Sequence, residues 1–424
     1  MTAPSPANTS SPPANAYDAL AERGLIAQAT HEDMRERLAR PLVAYCGFDP
    51  TADSLHVGSL VPIMALAHLQ RCGHRPVVVI GGATGLVGDP SGKTEARQML
   101  TPEQIDRHAE AIAGQIGRIV RFDGSASNAA VLVNNADWLA GKGWIEMLRE
   151  VGSQFSVNRM LSMESVKARL EAGGLTYIEF SYMVMQAYDF VHLHQAHGCT
   201  LQIGGQDQWG NIVMGIELGR RLAGAELAGL TFPLLTRADG GKFGKSEAGN
   251  IWLDAARTSP YDFYQFWRNT ADADVSRHLA YFTFLPIEEV RRLAAQAGAG
   301  LNEAKQALAY EVTKLIHGQA EADGALESAQ RAFGAGDVGG EAIPSAELPR
   351  AELEKGAGLL HLMVRAGLAQ SNSEARRLVQ GGGVRLNGEA VSDPTRKLEV
   401  GDADGQGRVV LRVGKKRIFR YDVV

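Results

Sequence analysis

The chain has little cysteine. Cys46, Cys72 and Cys199 are the only three in 424 residues. The count is odd and no two stand at a metal or redox spacing, so a disulfide framework and a Cys-based metal or dithiol site are excluded; a reduced, intracellular protein fits best. No apolar run reaches the length of a membrane span. The opening stretch MTAPSPANTSSPPANA has neither a basic start nor an apolar core, so it does not read as a secretory signal, and residues 1–15 are expected to form a disordered tail. There is no strong overall charge either: the net value is −5. That balance is uneven, because His361 to the C-terminus carries 12 Lys or Arg against 7 Asp or Glu, a net +5. A basic tail domain on an acidic body points to a polyanionic partner, although an ordinary solvated surface produces the same imbalance.

What is present is a chain long enough for two or three domains. From 16 to 235, short apolar runs (LVAYCGF, PVVVIGG, AAVLVNN, CTLQIGG) alternate with amphipathic stretches such as LVPIMALAHLQRCG, IDRHAEAIAGQIGRIV and IEFSYMVMQAYDFVHL. Strands alternating with helices predict an α/β, Rossmann-like parallel sheet covered on both faces, with a site at the carboxyl ends of its strands. A Lys-rich loop and strand fill 236–257. The block 258–333 shows only helical patterns. A Gly- and Pro-rich stretch, 334–350, reads as a linker. The last segment, 351–424, reads as a small α+β module that opens with two short helices and continues in strands.

Several motifs carry chemistry. GGATGLVGDPSGKT follows a strand and invites a Walker reading, but the spacing is wrong: Gly88 lies one residue too close to Gly92, Lys93 and Thr94. Its glycines still let backbone approach a ligand, and Lys93 is a candidate polar contact. HVGS places His56, Gly58 and Ser59 at a helix start, where an anion can be held. GGKFGKSEAGN places Lys242, Lys245 and Ser246 on a Gly-flanked loop. Each signal alone is weak. Together they form a clamp for a polyphosphate, suited to attack at an α-phosphate with pyrophosphate leaving. In IEFSYMVMQAYDFVHL, Tyr182, Gln186 and Asp189 share one helical face, a polar patch within an apolar segment. His192, His194 and His197 do not share a face, and no metal site is read from them.

The pair HVGS and KFGKS resembles the signatures of class I aminoacyl-tRNA synthetases. YCGFDPTADSLHVG, GGATGLVGDPSGK, EFSYMVMQAYDF, LQIGGQDQWGN, KFGKS and SPYDFYQFWRNT, in that order from about Tyr45 onward, resemble the bacterial tyrosyl-tRNA synthetases. The resemblance implies a tyrosine pocket in which Tyr182, Gln186 and Asp89 hold the ammonium group while Tyr45 and Asp189 bind the phenol. It implies ATP contacts from Cys46, Gly47, Asp49, Gly58, Ser59, Gly205, Asp207, Gln208, Lys242, Lys245 and Ser246. Thr51, His56, Lys242 and Lys245 would stabilise the leaving pyrophosphate. Mg2+ would arrive with ATP, which is a substrate, and no tightly held cofactor is implied.

Three positions depart from the family pattern. Ser59 stands in place of a second His, Pro62 in place of a polar residue near the ribose, and Gln206 in place of Ser. The tail, LLHLMVRAGLAQSNSEARRLVQGGGVRLNGEAVSDPTRKL, resembles an RNA-binding module in which Arg376, Arg377, Arg385, Lys397, Lys415, Lys416 and Arg417 would face phosphates. The resemblance further implies tyrosine tRNA as partner, a homodimer with contacts near Trp138 to Met160, no membrane association and a cytoplasmic location. The alternatives are another class I enzyme, such as the tryptophanyl relative or a simple nucleotidyltransferase, and an RNA-binding relative that has lost catalysis.

Overall fold

The computed structural model describes residues 15–90, 100–124, 126–236, 243–246, 249–333, 344–414 and 417–424. It divides into two compact units. One comprises Met1–Asp254 and Thr270–Leu308; the other comprises Ala255–Asn269 and Ala309–Val424. The helical stretch 258–333 therefore contributes to both.

The first unit is built on a six-stranded sheet. Its strands are β1 (Gln28–Ala29), β2 (Val43–Phe48), β3 (Arg75–Ile80), β4 (Val131–Asn134), β5 (Cys199–Gly205) and β6 (Ala228–Phe232), in the spatial order β1-β6-β5-β2-β3-β4. All pairs are parallel except β1 with β6. The parallel sheet expected from the sequence is thus present, and the four apolar runs each became a strand. Two further strands were not anticipated. AGLTF is short and Gly-containing, and QA is held only as an antiparallel edge beside β6.

The strand order creates the crevice that houses the site. From β2 the chain winds outward through β3 to β4, then returns to the other side of β2 for β5 and β6. The connections leaving β2 and β5 diverge, so the space above their carboxyl ends stays open. β2 lies mid-sheet with Ala44, Tyr45 and Cys46 buried. Helix Leu60–Arg71 covers it; ten of its twelve residues are buried, so the amphipathic reading of this stretch does not hold and the helix is enclosed on nearly all sides. Helix Tyr177–His197 packs along Trp209–Ala223. It starts at a capping box, with Thr176 and Glu179 satisfying each other's backbone, and stops at Gly198 in the left-handed region, φ +64°.

The second unit contains helix Pro260–Arg268, which packs against Gln319–Phe333. It also contains a five-stranded sheet ordered Glu389–Val391, Val384–Leu386, Arg408–Val413, Arg417–Val423 and Ser345–Leu348. Helices Leu359–Arg365 and Asn372–Gln380 bury Leu359, Leu362, Met363 and Val379 against Val409, Leu411 and Tyr421 of that sheet. The stretch read as linker, 334–350, ends in the strand Ser345–Leu348, which runs parallel to Arg417–Val423. SAEL has no β-branched residue; pairing, not propensity, makes it a strand.

One side chain ties the N-terminal segment to the helix Val275–Phe282 of the first unit. The Arg23 guanidinium donates to the carbonyls of Ala280, Thr283 and Leu285 at 2.9, 3.0 and 2.6 Å. A helix C-terminus leaves such carbonyls without intrahelical partners, and a cation there is favoured. Arg23→Met should therefore destabilise the protein by about 2 kcal/mol or more. Urea denaturation checks this, and an unchanged midpoint would show that water replaces the guanidinium without cost.

Candidate active site

A cavity of about 360 Å³ opens above the carboxyl ends of β2 and β5. Tyr45, Cys46, Gly47 and Asp49 reach it from β2 and the turn beyond it. Gly205, Asp207 and Gln208 reach it from β5 and the tight turn that follows, and Tyr182, Gln186 and Asp189 from helix Tyr177–His197. Thr51, Gly58, Ser59 and Asp89 complete the set of sequence-nominated lining residues. Among the described lining residues, the charged side chains are four carboxylates, Asp49, Asp89, Asp189 and Asp207.

These groups form a connected network. The Tyr182 hydroxyl donates to Asp49 at 3.0 Å, and the Thr84 hydroxyl donates to the other Asp49 oxygen at 2.8 Å. Gly81 permits this arrangement, because a Cβ there would lie 2.1 Å from Asp49 Oδ1. Asn135 Nδ2 donates to Thr84 at 2.9 Å and to Asp189 at 3.0 Å, and Trp138 Nε1 donates to the other Asp189 oxygen at 2.8 Å. On the nucleotide-assigned side, Gln208 Nε2 donates to Asp89 at 2.7 Å. Asn211 Nδ2 donates to both Gln186 and Gln208, at 3.0 and 3.1 Å.

Burial sets the protonation of this network. Asp189 is 4% exposed. Desolvation pushes its carboxyl up to about 7, against the hydrogen bonds from Asn135 and Trp138, which favour the charged form. Tyr45 is 2% exposed, and its hydroxyl has no hydrogen-bond partner among the described residues. Burial, then the nearby Asp189 charge, holds that phenol well above its usual range, so it remains a proton donor. Burial likewise raises the Cys46 thiol to about 12. Burial, followed by the charge of Asp89, raises Asp207. The inner end of the cavity thus presents an unpartnered donor beside a carboxylate that ionises near neutrality.

The two signature segments lie side by side at the cavity mouth. His56 Nδ1 accepts the Gly58 N–H at 3.0 Å, capping the turn Val57–Ser59. That N–H is therefore taken by the imidazole rather than open to an anion, and His56 itself does not line the cavity. Backbone bonds join Val57 to Ile251 at 3.0 Å and Leu253 to Leu55 at 2.8 Å. Gly244, at φ +82°, lies so close that a Cβ would be 3.5 Å from Gly58 N. Phe243 is stacked on Phe282 with centroids 5.6 Å apart, anchoring the KFGKS segment. The backbone of Lys245 and Ser246 pairs with Asn250 and Gly249. The side chains of Lys245 and Ser246, and Lys93 and Lys242 entirely, lie outside the described residues.

Asn135, Trp138, Thr84 and Asn211 belong to this network and were not nominated for the pocket by the sequence reading. The signal available was the Asn134–Asn135 pair at the carboxyl end of β4, the edge of the sheet where sites gather. Of the histidines set aside as metal ligands, His194 bonds the Cys199 carbonyl at 3.0 Å and His192 stacks on Trp138. In the second unit, Arg376, Arg377, Arg385, Lys397 and Arg417 are exposed. Arg385 donates to the Gly388 carbonyl and Arg417 to that of Leu368, each at 2.9 Å. Lys415 and Lys416 lie outside the described residues.

A parallel sheet whose crevice joins a carboxylate-lined cavity to HVGS and KFGKS segments defines a class I aminoacyl-tRNA synthetase. Residues 37–334 match the family of class I tRNA synthetases for W and Y, and residues 341–421 match the C-terminal domain of tyrosine–tRNA ligases. The chain is 51% identical over 401 residues to the tyrosine–tRNA ligase of Rhizobium meliloti, covering 94% of this chain and 96% of that protein. It is 48% identical over 413 residues to the one from Clostridium botulinum, covering 96% and 99%. A C-terminally truncated mitochondrial tyrosyl-tRNA synthetase from Aspergillus nidulans superposes with a TM-score of 0.65 at 32% identity, covering 74% of this chain and 92% of that one. The tyrosyl-tRNA synthetase of Archaeoglobus fulgidus, TM-score 0.55 at 19% identity over 74% of this chain and 100% of that one, shares the fold. The chain belongs to the tyrosine–tRNA ligase family.

The buried network makes a direct statement about Asp189. A carboxyl-carbon NMR titration should place its midpoint near 7. Trp138→Phe removes a donor that favours the carboxylate, so the midpoint should move upward. A midpoint in the ordinary aspartate range, or a downward move, would contradict the desolvation argument.

Proposed function

We propose that this chain is a tyrosine–tRNA ligase: it activates L-tyrosine with ATP to tyrosyl-adenylate and pyrophosphate, then transfers tyrosine to the 3′-terminal ribose of its tRNA. The observation that carries this reading is the buried pair at the inner end of the cavity. The Tyr45 hydroxyl can donate to a phenolic oxygen while Asp189 accepts the phenolic proton. Phenylalanine would leave the buried Tyr45 hydroxyl without a partner and Asp189 with only the Asn135 and Trp138 donors, which do not offset its burial. At the other end of the pocket, Asp89 and Gln186 supply acceptors for the ammonium group, and the Tyr182 hydroxyl, now on Asp49, lies beside them. Among ATP contacts, Asp207 accepts from a ribose hydroxyl, Gln208 lies next to it, and Cys46, Gly47, Gly58 and Gly205 line the groove.

The substrate carboxylate is already a nucleophile, so no general base is required. One carboxylate oxygen bonds to the α-phosphorus, and the bond from that phosphorus to the bridging oxygen breaks. The electron pair leaves with pyrophosphate. Catalysis comes from alignment and from charge stabilisation on the leaving group, assigned to Thr51, His56, Lys242 and Lys245, with Ser59 as a hydrogen-bond donor. Mg2+ enters on the nucleotide's phosphates. The helical block 258–333 and the module 351–424 are read as tRNA-binding domains, the latter through its exposed arginines and lysines. An apolar groove of about 390 Å³ runs between Leu139 and Met185, and Trp144, Ile145, Val157 and Tyr177 around it are exposed. A patch of this kind supports a homodimer. No described helix is long and apolar enough to cross a membrane, and a cytoplasmic location agrees with the reduced cysteines.

ATP–pyrophosphate exchange across the twenty amino acids tests the reading: tyrosine alone should support it. Exchange with tryptophan instead, or RNA binding with no exchange at all, would overturn it. Lys245→Ala should slow activation by about 100-fold or more while tyrosine binding stays near normal. Parallel losses in both would contradict the leaving-group assignment.

A further inference from the structure

The side chain of Gln115 commits all its polar atoms to a loop that it does not belong to. It sits on the last turn of helix Pro102–Ile116 and is 5% exposed. Its Oε1 accepts the Leu55 N–H at 2.8 Å and its Nε2 donates to Ser54 Oγ at 3.1 Å. Leu55 N–H can only donate, so the amide orientation is fixed by its partner. The Ser54 hydroxyl, also buried, donates to the Leu55 carbonyl at 2.9 Å and accepts the Asp254 N–H at 3.2 Å. Groups from three stretches far apart in sequence, 54–55, 115 and 254, thus satisfy one another within a buried hub.

From that hub, a ladder of backbone bonds runs to both signatures. Leu253 N–H donates to the Leu55 carbonyl and Val57 N–H to the Ile251 carbonyl, and the Ile251 N–H in turn donates to the Gly244 carbonyl at 2.9 Å. Gly244 precedes Lys245, which is in register with Asn250. On the opposite side of the ladder, the next residues are His56, Gly58 and Ser59. A slip of the 53–57 segment against 251–254 would therefore move His56 and Ser59 relative to the backbone of Lys245. The proposed amino-acid pocket is built on β2 and helix Tyr177–His197, elements to which neither Gln115 nor Ser54 belongs.

We propose that Gln115 is a positioning residue for the adenylate-forming step: with Ser54, it sets the register between the HVGS and KFGKS segments. This rests on the functional reading above. A fully satisfied buried polar network rigidifies what it joins, and a displacement of about 1 Å far from the reacting atoms can cost about 100-fold in rate. The substitutions Gln115→Met and Ser54→Ala, singly and combined, test it in the full-length protein. The readouts are thermal midpoint, tyrosine dissociation constant and the single-turnover rate of tyrosyl-adenylate formation as ATP is varied. Gln115→Met should lower that rate by about 10- to 100-fold at an unchanged tyrosine dissociation constant. The double variant should lose little more than the single one, because the two groups act as a unit.

Unchanged rates in both single variants, or rate and tyrosine affinity falling in proportion, would overturn the proposal. Should Gln115→Met not fold, Ser54→Ala decides alone: a lower rate at constant tyrosine affinity supports the proposal, and an unaltered rate ends it. Absence of tyrosyl-adenylate formation by the unsubstituted protein would refute the functional reading itself, and the positioning role with it.

Discussion

Everything in the catalytic unit is arranged around one carboxylate that is expensive to bury. Asp189 lies inside the unit with both oxygens occupied, one by Trp138 and the other by Asn135. Those two donors do not fully offset desolvation, and the group ionises near neutrality. The carboxylate is held one residue before Phe190, which touches the Tyr45 ring edge-on at 5.1 Å. The central strand and the longest helix of this unit therefore meet where the charge is buried. In the proposed reading a hydroxylated ring completes this site, supplying a donor to Asp189 and an acceptor to Tyr45.

The sheet and the loops divide the remaining work. The central strands are locked by burial on both faces, and with helix Tyr177–His197 they fix the inner end of the cavity. The phosphate side is different in kind. Its two signature segments are joined by backbone hydrogen bonds, with Phe243 anchored on Phe282, and not by a shared sheet core. This separation suits a reaction in which one substrate must be recognised by its side chain while the other is bent at its phosphates. Recognition needs rigidity; release of pyrophosphate needs a segment that can yield.

The sequence made the strands legible wherever burial on two faces forced a continuous apolar run, as in Val43–Phe48 and Arg75–Ile80. It concealed Ser345–Leu348, whose residues carry no strand preference and which exists through its pairing with Arg417–Val423. The helical face of Tyr182, Gln186 and Asp189 could be read because its period is local. The partners of that face could not. Asn135 and Trp138 lie 54 and 51 positions from Asp189, and no periodicity links them. His56 shows a subtler limit: the motif placed it at a helix start, but only coordinates reveal that its Nδ1 is spent on Gly58. Gln115 had no motif at all, because what it joins is brought together only by folding.

The most direct test of the buried carboxylate is the tyrosine dissociation constant as a function of pH between about 5.5 and 8.5, spanning the value near 7 that burial imposes on Asp189. In the proposed pocket the phenol donates to the ionised form, so affinity should be full above 7 and should weaken as pH falls through it, and Asp189→Asn should abolish this dependence. An affinity that is flat across that window, or that strengthens toward acid, would contradict the account.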